Sequence, residues 1–371
     1  MIEIDALDEA YWEHALSRPG GFGWWYVDLV DERGDGMVLI WSLGLPFLAG
    51  SRRALPPRER PSLNVVIYRE GAADCYLLQQ YEADQVGELQ PNGSATLGRS
   101  RVRATESQGL VRLVFDLDEA VPGSSERLQG RVELSGPAAQ LSPLGKAVLG
   151  SPSKRVIDHL WTPRVIHGRG QARLRCGSTT WEIEGSAYFD GNVSSRPLPD
   201  QGIASWRWGR VCLGANTLVI YEIASANSSA NQTLVLRATS DGKLSIYRDI
   251  PVHWGGTRKG HFGMSSPRTL RFSVGGSDVT CCMESLVDDG PFYQRSSFRA
   301  EGLGSSGWGW FEVVRPASID IGWQRPFVRM RTHHVGQQNS IWLPLFSGSR
   351  RGRTSRLLRS WLGTRTREDE S

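Results

Sequence analysis

Short apolar runs rich in aromatic and β-branched residues, separated by turn residues and in places alternating with a period of two, recur along most of this chain, and that pattern predicts strands. The clearest run is Ala172–Cys176, followed by a Gly177-Ser178 turn and a second alternating run, Trp181-Glu-Ile-Glu184. Together they read as a β-hairpin. Before it come strand candidates at Phe22–Leu29, Met37–Leu43, Leu63–Tyr68, Cys75–Tyr81, Ala95–Leu97, Leu110–Leu117 and Gly130–Leu134. After it come Ile203–Arg210, Thr217–Ile223, Thr233–Ala238, Leu244–Tyr247, Thr269–Val274, Val279–Glu284, Tyr293–Ala300 and Trp308–Val314. Asp35-Gly36, Asp241-Gly242 and Gly275-Gly276 supply hairpin corners. One short helix is expected at Asp8–Ser17, and helix overall at under about a tenth of the chain, against the usual third. The Gly-, Pro- and Ser-rich stretch Ser135–Ser153 reads as a boundary. The expectation is an all-β protein of two consecutive antiparallel β-barrel or sandwich domains, 1–145 and 146–348, with a basic tail, 349–371.

Composition narrows the class. With 371 residues and 39% hydrophobic content the chain can build two cores, and no run of 18 apolar residues exists to span a bilayer. The opening Met1-Ile-Glu-Ile-Asp5 lacks the pattern of a signal peptide, and five cysteines without a C-x-x-C fit a reducing compartment. A cytoplasmic protein is expected. Seven arginines fall between Arg350 and Arg367, around Leu357, Leu358, Trp361 and Leu362 at helical spacing. Such a segment suits the surface of an anionic membrane, or a merely solvated end. It is a poor footprint for nucleic acid, which no basic domain supports.

The candidate chemistry lies beyond the two ends of the hairpin, at Asp158-His159-Leu160-Trp161 and at Tyr188-Phe189-Asp190-Gly191-Asn192. Pairing of the two strands brings His159, Trp161, Tyr188 and Asp190 near one another. That is a base, an acid and two aromatic walls. The same residues also describe a satisfied core histidine and an aspartate that shapes a turn, and the pattern alone does not choose. Phosphate-binding loops, a G-x-S-x-G elbow and metal-ligand spacings are missing, so no cofactor and no metal are expected. Fourteen tryptophans in a β-rich chain either fill cores or line a pocket for a large apolar ligand.

At these residues the sequence resembles the carotenoid 1,2-hydratase (hydroxyneurosporene synthase) family. The resemblance is carried by Gly20-Gly-Phe-Gly-Trp24-Trp25-Tyr26-Val-Asp28, by His159-x-Trp161 with Tyr188-x-Asp190-x-Asn192, Pro197-Leu198 and Trp206-x-Trp208-x-Arg210, and by Gly290-Pro-Phe292-Tyr293-x-Arg295. It implies tandem lipocalin-like β domains and the hydration of the terminal C1–C2 double bond of an acyclic carotenoid or similar long isoprenoid. It also implies His159 and Asp190 as acid–base residues, with Trp161 and Tyr188 beside them. Trp24, Trp25, Tyr26, Phe189, Asn192, Trp206, Trp208 and Tyr293 are the substrate-binding candidates. Phe189 stands where family members often carry His, and the Trp-Gly that some show after Asn192 is missing.

The implied reaction can be set against the residues. A proton delivered to the less substituted alkene carbon leaves a tertiary cation that water captures. Asp190 could hold that proton at neutral pH only if burial against Trp161 and Phe189 raises its pKa. His159 would then take the proton of the attacking water. A cyclase or pericyclase working on a polyene, and a carrier that binds apolar ligands without chemistry, fit the same architecture.

Overall fold

The computed structural model of the chain describes residues 2–47, 56–141, 147–149, 159–226 and 231–365. Strands account for 59% and helices for 12%, slightly above the expected helical share. Two curled half-barrel sheets result, one of fifteen strands and one of nine. In the first, hydrogen-bonded neighbours run Ala72–Gln80, Pro61–Arg69, Gly36–Leu43, Phe22–Val30, Thr179–Ser194, His159–Cys176, Arg127–Pro137, Leu110–Ala120 and Ser100–Ser107. In the second, the central strands run Asn216–Ser225, Ile203–Leu213, Ser305–Val314, Tyr293–Gly302 and Ser277–Asp289.

The sheets do not divide where composition put the boundary. The hairpin His159–Ser194 fills the gap in the first sheet, pairing Ala172 with Val132 on one side and Tyr188 with Asp28 on the other. The first sheet therefore runs on to Ser194, beyond residue 145, the second begins at Ile203, and two short strands, His333–His334 and Gly348–Ser349, return to the first sheet at Ala72–Gln80. A stretch rich in Gly, Pro and Ser marks where the chain leaves one strand for the next, and that need not be the end of a sheet. Residues 142–146 and 150–158, including Asp158, lie outside the described residues.

Period two explains why the strand Phe22–Val30 shows little alternation: both its faces are buried. Trp25, Val27 and Leu29 point into the core inside the first curl, while Trp24, Tyr26 and Val30 point into a second core between the sheets. A third core fills the second curl, around Leu218, Ile220, Phe298 and Phe311. A strand covered on both sides has no polar face to betray its period.

Helices are few. Asp8 caps Glu9–Leu16 by accepting from the Tyr11 N–H at 2.9 Å, and the helix lays Trp12 on Trp25 at a ring separation of 4.6 Å. The basic tail begins as the helix Arg353–Arg365 and is docked on the body. Arg356 is buried, donating to the Ser347 carbonyl at 2.9 Å and to Glu126 at 3.2 Å, and Leu357 is buried with it. Leu358 and Trp361 stay exposed. No helix among the described residues is long and apolar enough to cross a membrane.

Candidate active site

The pairing of the hairpin decides which side chains meet. His159 lies opposite Ser194, Trp161 opposite Asn192, and Pro163 opposite Asp190. Near the turn the register differs, because five steps from Pro163 to Gly168 oppose only three from Ala187 to Asp190. Two extra residues are thus taken up as bulges. An even number returns each side chain to its original face, whereas one extra residue would have flipped it. The longer stretch between His159 and the turn is absorbed in this way.

The result is one hydrogen-bonded group on the inter-sheet face. Asp190 Oδ2 accepts from Trp161 Nε1–H and from the Tyr188 hydroxyl, both at 2.7 Å. Asp190 Oδ1 accepts from Asn192 Nδ2–H at 3.1 Å. The Asn192 side-chain oxygen in turn faces His159 Nε2 at 3.0 Å. His159 Nδ1 lies 3.2 Å from Gln201 Oε1, and Gln201 is anchored to Ser194 Oγ at 3.0 Å. His159 is fully buried and is linked to Asp190 through Asn192.

Competing effects set the proton affinity of Asp190. Burial is the largest and drives the pKa up. The Tyr188 and Trp161 donors favour the carboxylate and pull it down, while the charges of Glu312 and Asp28 push it up again. The outcome is about 7, against an ordinary 3.8. Tyr188 is held well above the usual phenol range by burial and by the Asp190 charge. Tyr26 and Tyr221 are raised chiefly by burial. Asp190 is therefore the proton-holding group here, with phenols around it that stay neutral.

Asp190, Asn192 and Trp161 open onto a cavity of ≈ 40 Å³ whose other walls are Trp24, Tyr26, Trp206, Trp208, Tyr221 and Glu312. Trp161 and Tyr221 lie 5.1 Å apart, and Tyr26 and Trp208 5.3 Å apart. Trp24 also walls a larger apolar pocket of ≈ 150 Å³, lined by Ile40, Leu45, Phe47, Phe292 and Tyr293 among others. Both cavities share a floor. The cross-strand row Asn192–Trp24–Ser42–Ser62 runs from the carboxyl site into the apolar pocket. Overhead, Tyr221, Trp208, Glu312 and Arg295 stand directly opposite one another across four strands of the second sheet.

Most of the expected residues meet here, and two do not. Trp25 stacks between Trp12 and Trp41, inside the first curl. Phe189 stacks on Trp41 in the same core, on the opposite face of its strand from Tyr188 and Asp190. Neither contacts the cavity, and the wall expected of Phe189 against Asp190 is supplied by Tyr188 and Trp161. The exchange of a common family His for Phe189 thus falls on the far side of the sheet. Tyr221, Glu312 and Gln201 join the site without having been singled out. Tyr221 and Glu312 lie in the strand candidates Thr217–Ile223 and Trp308–Val314, whose continuous apolar runs carry no sign of which cavity each side chain would face, and Gln201 lies outside any strand candidate.

The model of the carotenoid hydratase CrtC family matches residues 37–335. The chain belongs to that family. It is 25% identical to the acyclic carotenoid 1,2-hydratase of Thiocapsa roseopersicina over 63% of this chain and 55% of that one. With the acyclic carotenoid 1,2-hydratase of Rubrivivax gelatinosus the figure is 26%, over 77% of this chain and 66% of that one. The chain thus spans between about half and two thirds of those two relatives. A hydroxyneurosporene dehydrogenase of Chlorobaculum tepidum is 24% identical over 92% of this chain and 94% of its own. Among solved structures, an AttH candidate from Nitrosomonas europaea superimposes with a TM-score of 0.59 at 15% identity, over 80% of this chain and 93% of that one. CghA with Sch210972 gives 0.51 at 13% identity, over 80% and 89%. At such identities these two speak for the fold alone.

Proposed function

We propose that this member of the carotenoid hydratase family adds water to the terminal C1–C2 double bond of an acyclic carotenoid, without a cofactor. The observation that supports it most strongly is Asp190, a buried carboxyl that holds its proton to about pH 7 inside an aromatic cavity. Protonating an isolated alkene demands an acid that is still protonated at neutral pH, and surroundings that do not solvate it away. The hydrocarbon chain lies in the apolar pocket and presents its end past Trp24. Asp190 delivers the proton to C2, and the tertiary cation at C1 is held against Trp161, Tyr221 and Trp208. Each aromatic face contributes roughly 1–2 kcal/mol to a desolvated cation. The cavity has room for a water molecule, which needs at least about 10–15 Å³. His159 acts through Asn192, fixing the amide that fixes the carboxyl.

Incubation with neurosporene or lycopene in heavy-oxygen water is the test. The expected product is a hydroxylated carotenoid carrying the label. Oxygen derived from dioxygen would make the protein an oxygenase, an isomer without added water would make it a cyclase, and unchanged ligand would make it a carrier.

A substrate of this class dissolves in lipid, and the surface offers matching chemistry. Trp323 and Phe327 are exposed, and Phe327, Val328 and Arg331 belong to the wall of the apolar pocket. Farther along, exposed Trp342 meets exposed Trp361 of the arginine-rich helix at 5.5 Å. Aromatic and cationic side chains together suit an anionic membrane surface. The double variant Trp323→Ser, Trp361→Ser is expected to lower co-sedimentation with phosphatidylglycerol vesicles several-fold without loss of folding. Binding equal to that of the parent protein would count against a membrane contact at these residues.

A further inference from the structure

Within the proposed hydration, the acceptor of the proton of water needs a named group. His159 is not among the cavity walls, and both of its ring nitrogens face side-chain amides. Glu312 is a wall of the cavity, on the opposite sheet from Asp190. Its contacts converge on one oxygen: Oε1 accepts from Arg295 Nε at 2.9 Å, from Arg295 Nη2 at 2.7 Å and from the Tyr26 hydroxyl at 3.4 Å. None of these uses Oε2. Arg295 is itself buried and carries its charge at any pH the protein meets. It is fixed further by Tyr68, whose hydroxyl accepts from it at 2.5 Å and in turn donates to Asp288. The carboxylate is thus held in one orientation by a guanidinium fork, itself braced from below.

We infer that Glu312 is the second catalytic carboxyl of this site, positioning the attacking water through Oε2 and receiving its proton. This rests on the hydration reading above. The two acids divide the work by their surroundings. One is buried among aromatic groups and gives the proton, and the other is ion-paired with Arg295 through Oε1 and turns to the cavity.

The step balances without another reactant. The π electrons of the alkene take the Asp190 proton and form the new C2–H bond, leaving the cation at C1. A lone pair of water forms the C1–O bond, and one water proton passes to the Glu312 carboxylate. Transfer of that proton to the Asp190 carboxylate across the cavity restores both groups. The net change is one water added. Between the two steps the Glu312 charge also stabilises the cation, a second reason for a carboxylate there.

The test separates protonation from capture. In heavy water, deuterium entering the recovered alkene and its double-bond isomers reports protonation by Asp190 alone, whereas the alcohol reports both steps. Glu312→Gln should lower alcohol formation by about 10²–10⁴-fold, the range for loss of a general base. Deuterium exchange should fall much less, so that the ratio of exchange to hydration rises by at least about tenfold. If both fall together at an unchanged ratio, Glu312 is structural and the inference is overturned. Should Glu312→Gln not accumulate as folded protein, Glu312→Asp keeps a carboxylate for Arg295 but withdraws it from the cavity by one methylene, and is judged by the same ratio. If the parent protein itself yields no water-derived hydroxyl, the hydration reading fails, whatever the variants do.

Discussion

Asp190→Asn is expected to abolish measurable hydration, a fall of at least roughly 10²–10⁴-fold in kcat/KM. The amide has the size of the acid and can keep one oxygen for Trp161 and Tyr188, so folding should survive. What it lacks is an acidic proton. The parent protein should show the matching pH dependence. Its carboxyl is protonated below about 7, so activity should be level there and fall by about tenfold per pH unit above, as the acid form is depleted. The charged and titratable neighbours are Glu312 and Asp28, which raise this pKa, and the phenols Tyr188, Tyr26 and Tyr221, which stay protonated across that range. The raised carboxyl also has a stability signature. A folded-state pKa above the unfolded value contributes stability that is fully present below about pH 4 and is lost as pH rises towards 7. The Asn variant, with nothing to titrate there, should not show that decline. A pH–rate profile flat to pH 9 in the parent, or an Asn variant within tenfold of it, would remove Asp190 from the role of acid.

The all-β class and the meeting of His159, Trp161, Tyr188 and Asp190 were legible because hairpins are local. One turn at Gly177-Ser178 fixes the pairing of everything beyond it, apart from the bulges. Strand parity was legible as well and could have been pressed further. Counting by two from Asp190 separates Tyr188 and Asn192 from Phe189, and counting from Tyr26 separates Trp24 from Trp25. Treated as blocks, those neighbours bring two core residues, Trp25 and Phe189, into the expected site. Glu312 and Tyr221 were beyond reach for a different reason. They arrive by pairing with Trp208 on a strand of the second sheet, and nothing in a local window says which strands become neighbours. The division of the sheets near Ser194 is equally non-local, set by Phe22–Val30 accepting a partner more than 150 residues away in sequence. The tail was read by its arginines as solvated or membrane-bound. Arg356 shows how one such side chain can instead be consumed by backbone carbonyls beneath it.

Arg210→Met should destabilise the fold by about 3–5 kcal/mol at neutral pH, the usual effect of removing one partner from a buried ion pair. Arg210 of the second sheet donates to Asp28 of the first, with neither side chain accessible, and both lie against Tyr188 beside the acid. The pair is thus a strut between the sheets at the site. Two competing terms act on Asp28. Burial raises its pKa and the Arg210 charge lowers it, with burial the larger. Without the guanidinium, burial acts unopposed and the carboxyl takes up a proton rather than stay charged. The sign follows from linkage: a further raised folded-state pKa adds stability below the unfolded value and loses it as pH rises. The defect should therefore be small near pH 4 and largest above neutrality. Adding Asp28→Asn should recover most of it, because the uncompensated charge is then gone. Denaturant unfolding of the parent protein and the two variants at pH 5 and pH 8 makes the measurement. A loss that is the same at both pH values, or a double variant no better than Arg210→Met, would show that the arginine acts through packing and not through its charge.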